Sequence, residues 1–210
     1  MDLSRIAVWG VGTPRTFRVH WLLHELGLEY ATHPIQSRTG ETQTAEYLEL
    51  NTRGKIPALV DGELVVTESA AILRYLRRTY PVLPYDAYQL SSVGQASYDE
   101  WLSFILMELD ATSLYVVRRH RDLPEIYGEA ANAVSSSLAY FSKMLGSVEA
   151  RVAGREFLWG ESFSELDIHM TVILLWAKII GIEVPAAFDQ YSSRMTARPA
   201  YRVAYAHNFQ

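Results

Sequence analysis

Hydrophobic and polar positions alternate differently in the two parts of the chain. From Arg5 to Tyr80, short apolar runs take turns with stretches of helical spacing. Arg5 to Gly10 reads as a buried strand, bounded by Gly10 and Gly12. Thr13-Pro14 then opens a helix, because a hydroxyl at the N-cap and a proline at the first helical position both suit a turn whose N–H groups lack partners. Phe17, Trp21, Leu22 and Leu26 carry that helix to Gly27, a natural stop. A second strand is predicted near Glu29 to Pro34, and a short helix around Thr44 to Leu48 after the polar stretch Ser37 to Gln43. Ile56 to Val60 and Leu64 to Val66, separated by Asp61-Gly62, read as a hairpin. Glu68 to Tyr80 follows as a helix with Ala71, Ile72, Tyr75 and Leu76 at helical spacing. The result is a small α/β domain over residues 1–80.

Pro81-Val82-Leu83-Pro84 discourages helix continuation, which makes 81–90 a linker. Beyond it the pattern predicts no strand. Ser91 to Tyr115, Pro124 to Val152, Glu165 to Gly181 and Pro185 to Thr196 each read as one helix. Residues 91–210 therefore form an all-helical domain, and the fold class is α/β followed by all-α.

Composition narrows the function. The chain is 49% apolar and 20% charged, as an ordinary globular protein is. Its 19 basic and 24 acidic residues leave a net charge of −5, and the densest basic run, Arg118-Arg119-His120-Arg121, is short, so nucleic acid is not the expected partner. The absence of cysteine excludes disulfides, thiolate metal sites and any mechanism that uses an enzyme thiol. Met170 to Ile182 is the most apolar segment, but Lys178 interrupts it and it falls short of the ~20 residues that span a bilayer. The opening MDLSRIAVWG has no leader pattern, so a soluble, cytoplasmic protein with no membrane partner is expected.

Three places carry candidate chemistry. At Glu68-Ser69 a helix begins, and its free N–H groups and positive dipole end suit a carboxylate. Ser69 adds a hydroxyl donor and Glu68 an acceptor for an ammonium, which together match an amino-acid head group; a plain helix cap uses the same residues. At Ile56-Pro57 a cis bond would turn the Ile56 backbone toward an extended peptide, and nothing local selects cis over trans. Thr13 places a hydroxyl at a helix start, where a bound thiolate would be favoured. Each unit of thiol pKa depression requires ~1.4 kcal/mol. A helix end supplies ~0.3–1 kcal/mol and a charge-assisted hydrogen bond somewhat more, so one to two units are within reach. Thr13 equally reads as the N-cap for Pro14, and one hydroxyl does not easily do both jobs; Thr16, a turn later, is the weaker candidate. Ser164-Glu165-Leu166-Asp167 has the form of a capping box with Phe163 and Ile168 as a hydrophobic staple. His20 and His24 have metal-pair spacing but no HExxH glutamate, so they read as ordinary helix residues and no metal is expected.

Taken together, the segment Tyr47 to Leu59 with its Gly54-Lys55-Ile56-Pro57-Ala58 core, and Thr67-Glu68-Ser69-Ala70-Ala71-Ile72-Leu73 after it, resemble the signature of glutathione transferases. Trp159-Gly160 through Ile168 resembles the capping motif of that family's C-terminal domain, and Met195 to Pro199 its terminal signature. The resemblance covers nearly the whole chain. It implies a thioredoxin-like N-terminal domain joined to a helical domain, usually as a homodimer. It also implies glutathione as co-substrate, with Glu68 and Ser69 on the γ-glutamyl end, the Ile56 backbone beside cis-Pro57 on the cysteinyl part, and Lys55 close by. Thr13 aligns with the serine of serine-type classes. Trp9 stands where tyrosine-type classes carry tyrosine, and Asp110 where bacterial beta-type proteins carry histidine. The class implied is therefore bacterial, serine/threonine-type or beta-like. The implied reaction joins the glutathione thiolate to a small hydrophobic electrophile held near Val11, Gly12, Trp101, Ile105 and Tyr115 between the domains. Glutathione-dependent isomerisation or dehalogenation is a second reading, and a non-catalytic binding or interaction module a third.

Overall fold

The structure, a computed structural model, describes residues 5–80 and 91–210; the predicted linker 81–90 lies outside them. The first unit is built on a four-stranded sheet of order β2-β1-β3-β4. Strand β1 (Ile6–Trp9) buries Ile6 and Val8 on one face and half-buries Ala7 and Trp9 on the other. Helix α1 (Pro14–Glu25) crosses from it to the parallel strand β2 (Ala31–His33). A 3-10 turn, Glu41–Gln43, and helix α2 (Ala45–Leu50) lead to the antiparallel pair β3 (Ala58–Asp61) and β4 (Leu64–Thr67). Helix α3 (Ser69–Thr79) completes the α/β part. This is the thioredoxin-like arrangement that the resemblance implied.

Two corrections fall on the hairpin. Ile56 and Pro57 precede β3 rather than open it, and Asp61 belongs to the strand, paired with Leu64, so the turn is Gly62-Glu63. Gly62 has φ +61, which a glycine adopts without strain. Asp61 is pulled into the strand because its buried carboxylate is a hub. It accepts from Arg5 Nε at 2.7 Å, the Tyr75 hydroxyl at 2.7 Å and the Tyr80 hydroxyl at 2.6 Å. Burial alone would push this carboxyl up, but the three donors together hold it below its ordinary value.

The second unit begins with α4 (Ser92–Ser103), capped by the Ser91 hydroxyl, which accepts from Gly94 N–H at 3.3 Å. The helix does not stop at Tyr115. It runs on through wider π-type turns over Phe104–Leu114, then α5 (Tyr115–Val117) and Arg118–Asp122. The predicted helix Pro124 to Val152 is three pieces, α6 (Pro124–Tyr127), α7 (Ala131–Ser147) and α8 (Glu149–Val152). Gly128, with φ +78 and extended ψ, makes the first break. Helix α9 (Glu165–Ile179) is buried along most of its length. Asp167 anchors its start, taking hydrogen bonds from the N–H and hydroxyl of Ser164, the N–H of Leu158 and the hydroxyl of Tyr191. Tyr191 comes from α10 (Ala186–Thr196).

The chain then re-enters the first unit, which includes Ala197–Gln210, where the sequence pattern places everything after residue 90 in one helical domain. Helix α11 (Pro199–Phe209) packs along α1. Tyr201 meets Phe17 and Trp21 edge-on at 5.3 and 5.0 Å. Arg198 pairs with the buried Glu25 carboxylate through two hydrogen bonds of 2.6 and 2.8 Å.

Along the same seam His20 is fully buried. Its Nε2 faces the Gly10 carbonyl at 3.0 Å and must carry the proton, so Nδ1 accepts from the Tyr30 hydroxyl at 2.8 Å. His24 and His207 flank it. Burial pushes the His20 pKa from 6.5 down to about 4, and burial lowers His24 and His207 as well. Protons then bind the unfolded chain before the folded one. Stability is full above 6.5 and is lost as pH falls toward about 4. For His20 the loss between pH 7 and pH 5 comes to about 2 kcal/mol. Urea unfolding at the two pH values should show that loss in the wild type and a clearly smaller one in His20→Gln; equal losses would take His20 out of the effect.

Candidate functional site

The strand register brings the candidate residues to one end of the sheet. Trp9, at the end of β1, pairs with Ala58 at the start of β3, and Ala58 pairs with Thr67 at the end of β4. The β1–α1 loop with Thr13, the loop Lys55-Ile56-Pro57 and the start of α3 at Glu68-Ser69 therefore leave the sheet side by side. Ile56-Pro57 is cis. Gly10 has φ +117, and a Cβ built on it would meet the Ile56 Cβ at 2.6 Å. Only glycine lets these two loops approach so closely.

Each loop is tied down. Gly10 N–H donates to His33 O at 2.9 Å, Val11 N–H to Ile35 O at 3.1 Å and Gly12 N–H to Asn208 O at 2.9 Å. The Lys55 carbonyl accepts from the Tyr47 hydroxyl at 2.5 Å and Asn51 Nδ2 at 2.7 Å. Lys55 itself is exposed and Ile56 half-buried. Among the described residues, no backbone–backbone hydrogen bond engages Ile56, which leaves its N–H and carbonyl for an extended peptide.

Thr13 is half-buried and is the N-cap of α1. Its Oγ1 accepts from Thr16 N–H at 3.0 Å, while Thr16 Oγ1 accepts from Thr13 N–H at 3.0 Å, a reciprocal capping box. A hydroxyl has two lone pairs and one proton. The cap occupies a lone pair of Thr13, and its hydroxyl also lies 3.0 Å from the Thr16 hydroxyl, where either oxygen can donate. Thr16, the weaker candidate, is buried, and its hydroxyl lies 2.7 Å from Asn208 Oδ1.

Glu68 is an exposed non-glycine residue with φ +70 and ψ 117. Such backbone costs about 1–3 kcal/mol and tends to mark functional positions. Its carboxylate pairs with Arg53 at 3.1 Å, and Arg53 also donates to the Thr67 hydroxyl. Both members of the ion pair are solvated, so the contact is weak and replaceable. Ser69 is buried in the first turn of α3, with Arg18 Nη1 at 3.4 Å from its hydroxyl.

The other expected site residues divide by unit. Val11 and Gly12 stand in the β1–α1 loop, half-buried and exposed. In the helical unit Trp101 is 3% exposed, its ring under the Arg151 guanidinium at 4.3 Å, and Tyr115 is half-buried. Ile105 is fully buried in the π-type segment that packs on α7 and α9. Trp9 stacks on His33 at 3.8 Å, a ring contact with no hydroxyl to offer. Sequence reasoning missed Arg18, Arg53 and Asn208 as neighbours of the site.

Similarities to known proteins follow the same geometry. Residues 4–78 match the family model described as glutathione S-transferase, N-terminal domain. The chain is similar to glutathione S-transferase 3 of Zea mays, 30% identical over 162 residues that make up 77% of this chain and 72% of that one. It is 27% identical to glutathione S-transferase PARB of Nicotiana tabacum over 194 residues, 89% of this chain and 90% of that one. Among solved structures it resembles the theta class glutathione S-transferase of Xanthomonas axonopodis pv. citri with glutathione bound. There the TM-score is 0.81 and the identity 25%, covering 99% of this chain and 100% of that one.

Proposed function

The chain belongs to the glutathione S-transferase family, and on that footing we propose that it joins the glutathione thiolate to a small hydrophobic electrophile, with Thr13 as the activating donor. The observation that carries this reading is the Thr13 hydroxyl at a helix start. It caps through a lone pair, and on this reading its proton turns from the Thr16 hydroxyl oxygen, 3.0 Å away, to the ligand sulfur.

The residues fit the tripeptide in order. Glu68 accepts from the ammonium of the γ-glutamyl end, exchanging its solvated Arg53 contact for the ligand. The Ser69 hydroxyl and the first N–H groups of α3 take the neighbouring carboxylate. The Ile56 backbone pairs with the cysteinyl part, and Lys55 stands beside the tripeptide. Thr13 donates to the sulfur, which lowers the thiol pKa and holds the thiolate for attack. The sulfur then forms a bond to the electrophilic carbon as the leaving group departs with its electron pair; holding both reactants supplies the orientational part of the rate. The same reading makes the protein a homodimer of the cytoplasm, supported by its likeness to the family; size-exclusion chromatography with light scattering tests the dimer.

Ser69→Ala should weaken glutathione binding about tenfold, which corresponds to ~1.4 kcal/mol. Calorimetric titration reads this directly, and an unchanged affinity would remove Ser69 from the site.

A further inference from the structure

We propose that Asn208, on α11, is a positioning residue for thiol activation: it clamps the Gly12-Thr13 backbone and the Thr16 hydroxyl so that the Thr13 proton points at the glutathione sulfur. The proposal rests on the Thr13 reading above. Asn208 is 3% exposed and 195 residues from Thr13 in sequence, yet its backbone carbonyl and both side-chain polar atoms engage this loop and the first turn of α1. Its carbonyl accepts from Gly12 N–H at 2.9 Å, its Nδ2 donates to Thr13 O at 3.3 Å, and its Oδ1 accepts the Thr16 hydroxyl at 2.7 Å.

The Thr16 hydroxyl has three acceptors within reach: Asn208 Oδ1, Thr13 O at 2.8 Å and Thr13 Oγ1 at 3.0 Å. It has one proton. Asn208 offers the shortest contact and draws that proton away from Thr13. An oxygen that donates is a better acceptor, so the bond from Thr13 N–H to Thr16 Oγ1 tightens. Thr13 is thereby held at its N–H by Thr16 and at its carbonyl by Asn208. With the main chain fixed and χ1 stiff by β-branching, the direction of Oγ1 is set. Thr16 N–H takes one of its lone pairs; with the Thr16 proton on Asn208, the Thr13 proton has Thr16 Oγ1 within 3.0 Å, and it turns from that contact to the sulfur when glutathione binds.

The test uses reduced glutathione and the wild-type, Asn208→Leu, Thr13→Ala and doubly substituted proteins, each followed by thiolate absorbance across pH. Asn208→Leu should raise the midpoint of the bound thiol by about one unit, tenfold in thiolate at neutral pH, with glutathione affinity within twofold. In the Thr13→Ala background it should add no further shift, because it acts through Thr13. A purely structural role would lower the melting temperature and leave the midpoint unmoved. A midpoint that Thr13→Ala moves and Asn208→Leu does not overturns the proposal. A midpoint that neither moves sinks the Thr13 reading, and the proposal with it. Should Asn208→Leu fail to fold, Thr16→Val breaks the same clamp at its middle member. An equal shift there supports the proposal and an unmoved midpoint overturns it.

Discussion

Asp167→Ala is expected to lower the unfolding free energy by about 4 kcal/mol, the largest single loss anticipated in this protein. The carboxylate is fully buried and takes four hydrogen bonds of 2.7 to 3.1 Å. Two of its donors are hydroxyls, Ser164 and Tyr191, which can turn toward other acceptors. The other two are the N–H groups of Leu158 and Ser164, which cannot. Each buried N–H left without a partner costs about 1–3 kcal/mol, and loss of a helix cap adds about 1 kcal/mol. The damage falls on α9, whose buried residues Leu166, Ile168, Met170, Ile173 and Leu174 form much of the core of the helical unit. Asp167→Asn keeps one acceptor oxygen and should cost less. Denaturant unfolding monitored by tryptophan fluorescence measures both; a loss under about 1 kcal/mol for the alanine variant would contradict the structural account of this helix start.

The second large effect concerns chemistry. Thr13→Ala should reduce kcat/KM by about tenfold to a hundredfold near pH 6.5, because a hydrogen bond to a charged group contributes ~1.5–3 kcal/mol. The deficit should shrink as pH rises past the ordinary thiol pKa of about 8.5, where glutathione ionises without help. Glutathione affinity should change little, since the tripeptide is gripped at Glu68, Ser69 and Ile56. Loss of the cap should cost about 1 kcal/mol of stability, a separate and smaller effect. Thr13→Ser keeps the hydroxyl and should stay close to the wild type. A pH–rate profile of the alanine variant that overlays the wild type would leave Thr13 as a cap alone.

Much of the fold was legible where its signals are local. Thr13-Pro14 fixes the start of α1 within the residues themselves, and the capping box at Ser164 and Asp167 spans only four positions. The gathering of Thr13, Ile56 and Glu68 follows once β1, β3 and β4 are recognised and paired. Other features depend on partners far away in the chain. Asp61 reads as a turn residue until Arg5, Tyr75 and Tyr80 are seen to surround it. The break at Gly128 is a single glycine in an otherwise helical pattern. Helix α11 did carry a signal, Pro199 at its first position and aromatic residues at 201, 205 and 209, one turn apart. Nothing in that pattern says that the helix returns to α1, so Asn208 had no visible role. The wider turns of Phe104–Leu114 also leave no mark, because apolar spacing cannot separate 3.6 from slightly more residues per turn.

The central question is whether this protein lowers the pKa of bound glutathione. The most direct measurement is the ultraviolet difference spectrum of the wild-type complex with glutathione, titrated from about pH 5 to 10 for thiolate absorbance. A helix start and one donated hydrogen bond predict a midpoint about one to two units below that of free glutathione. A bound thiol that titrates where the free one does, or no binding at all, would contradict it.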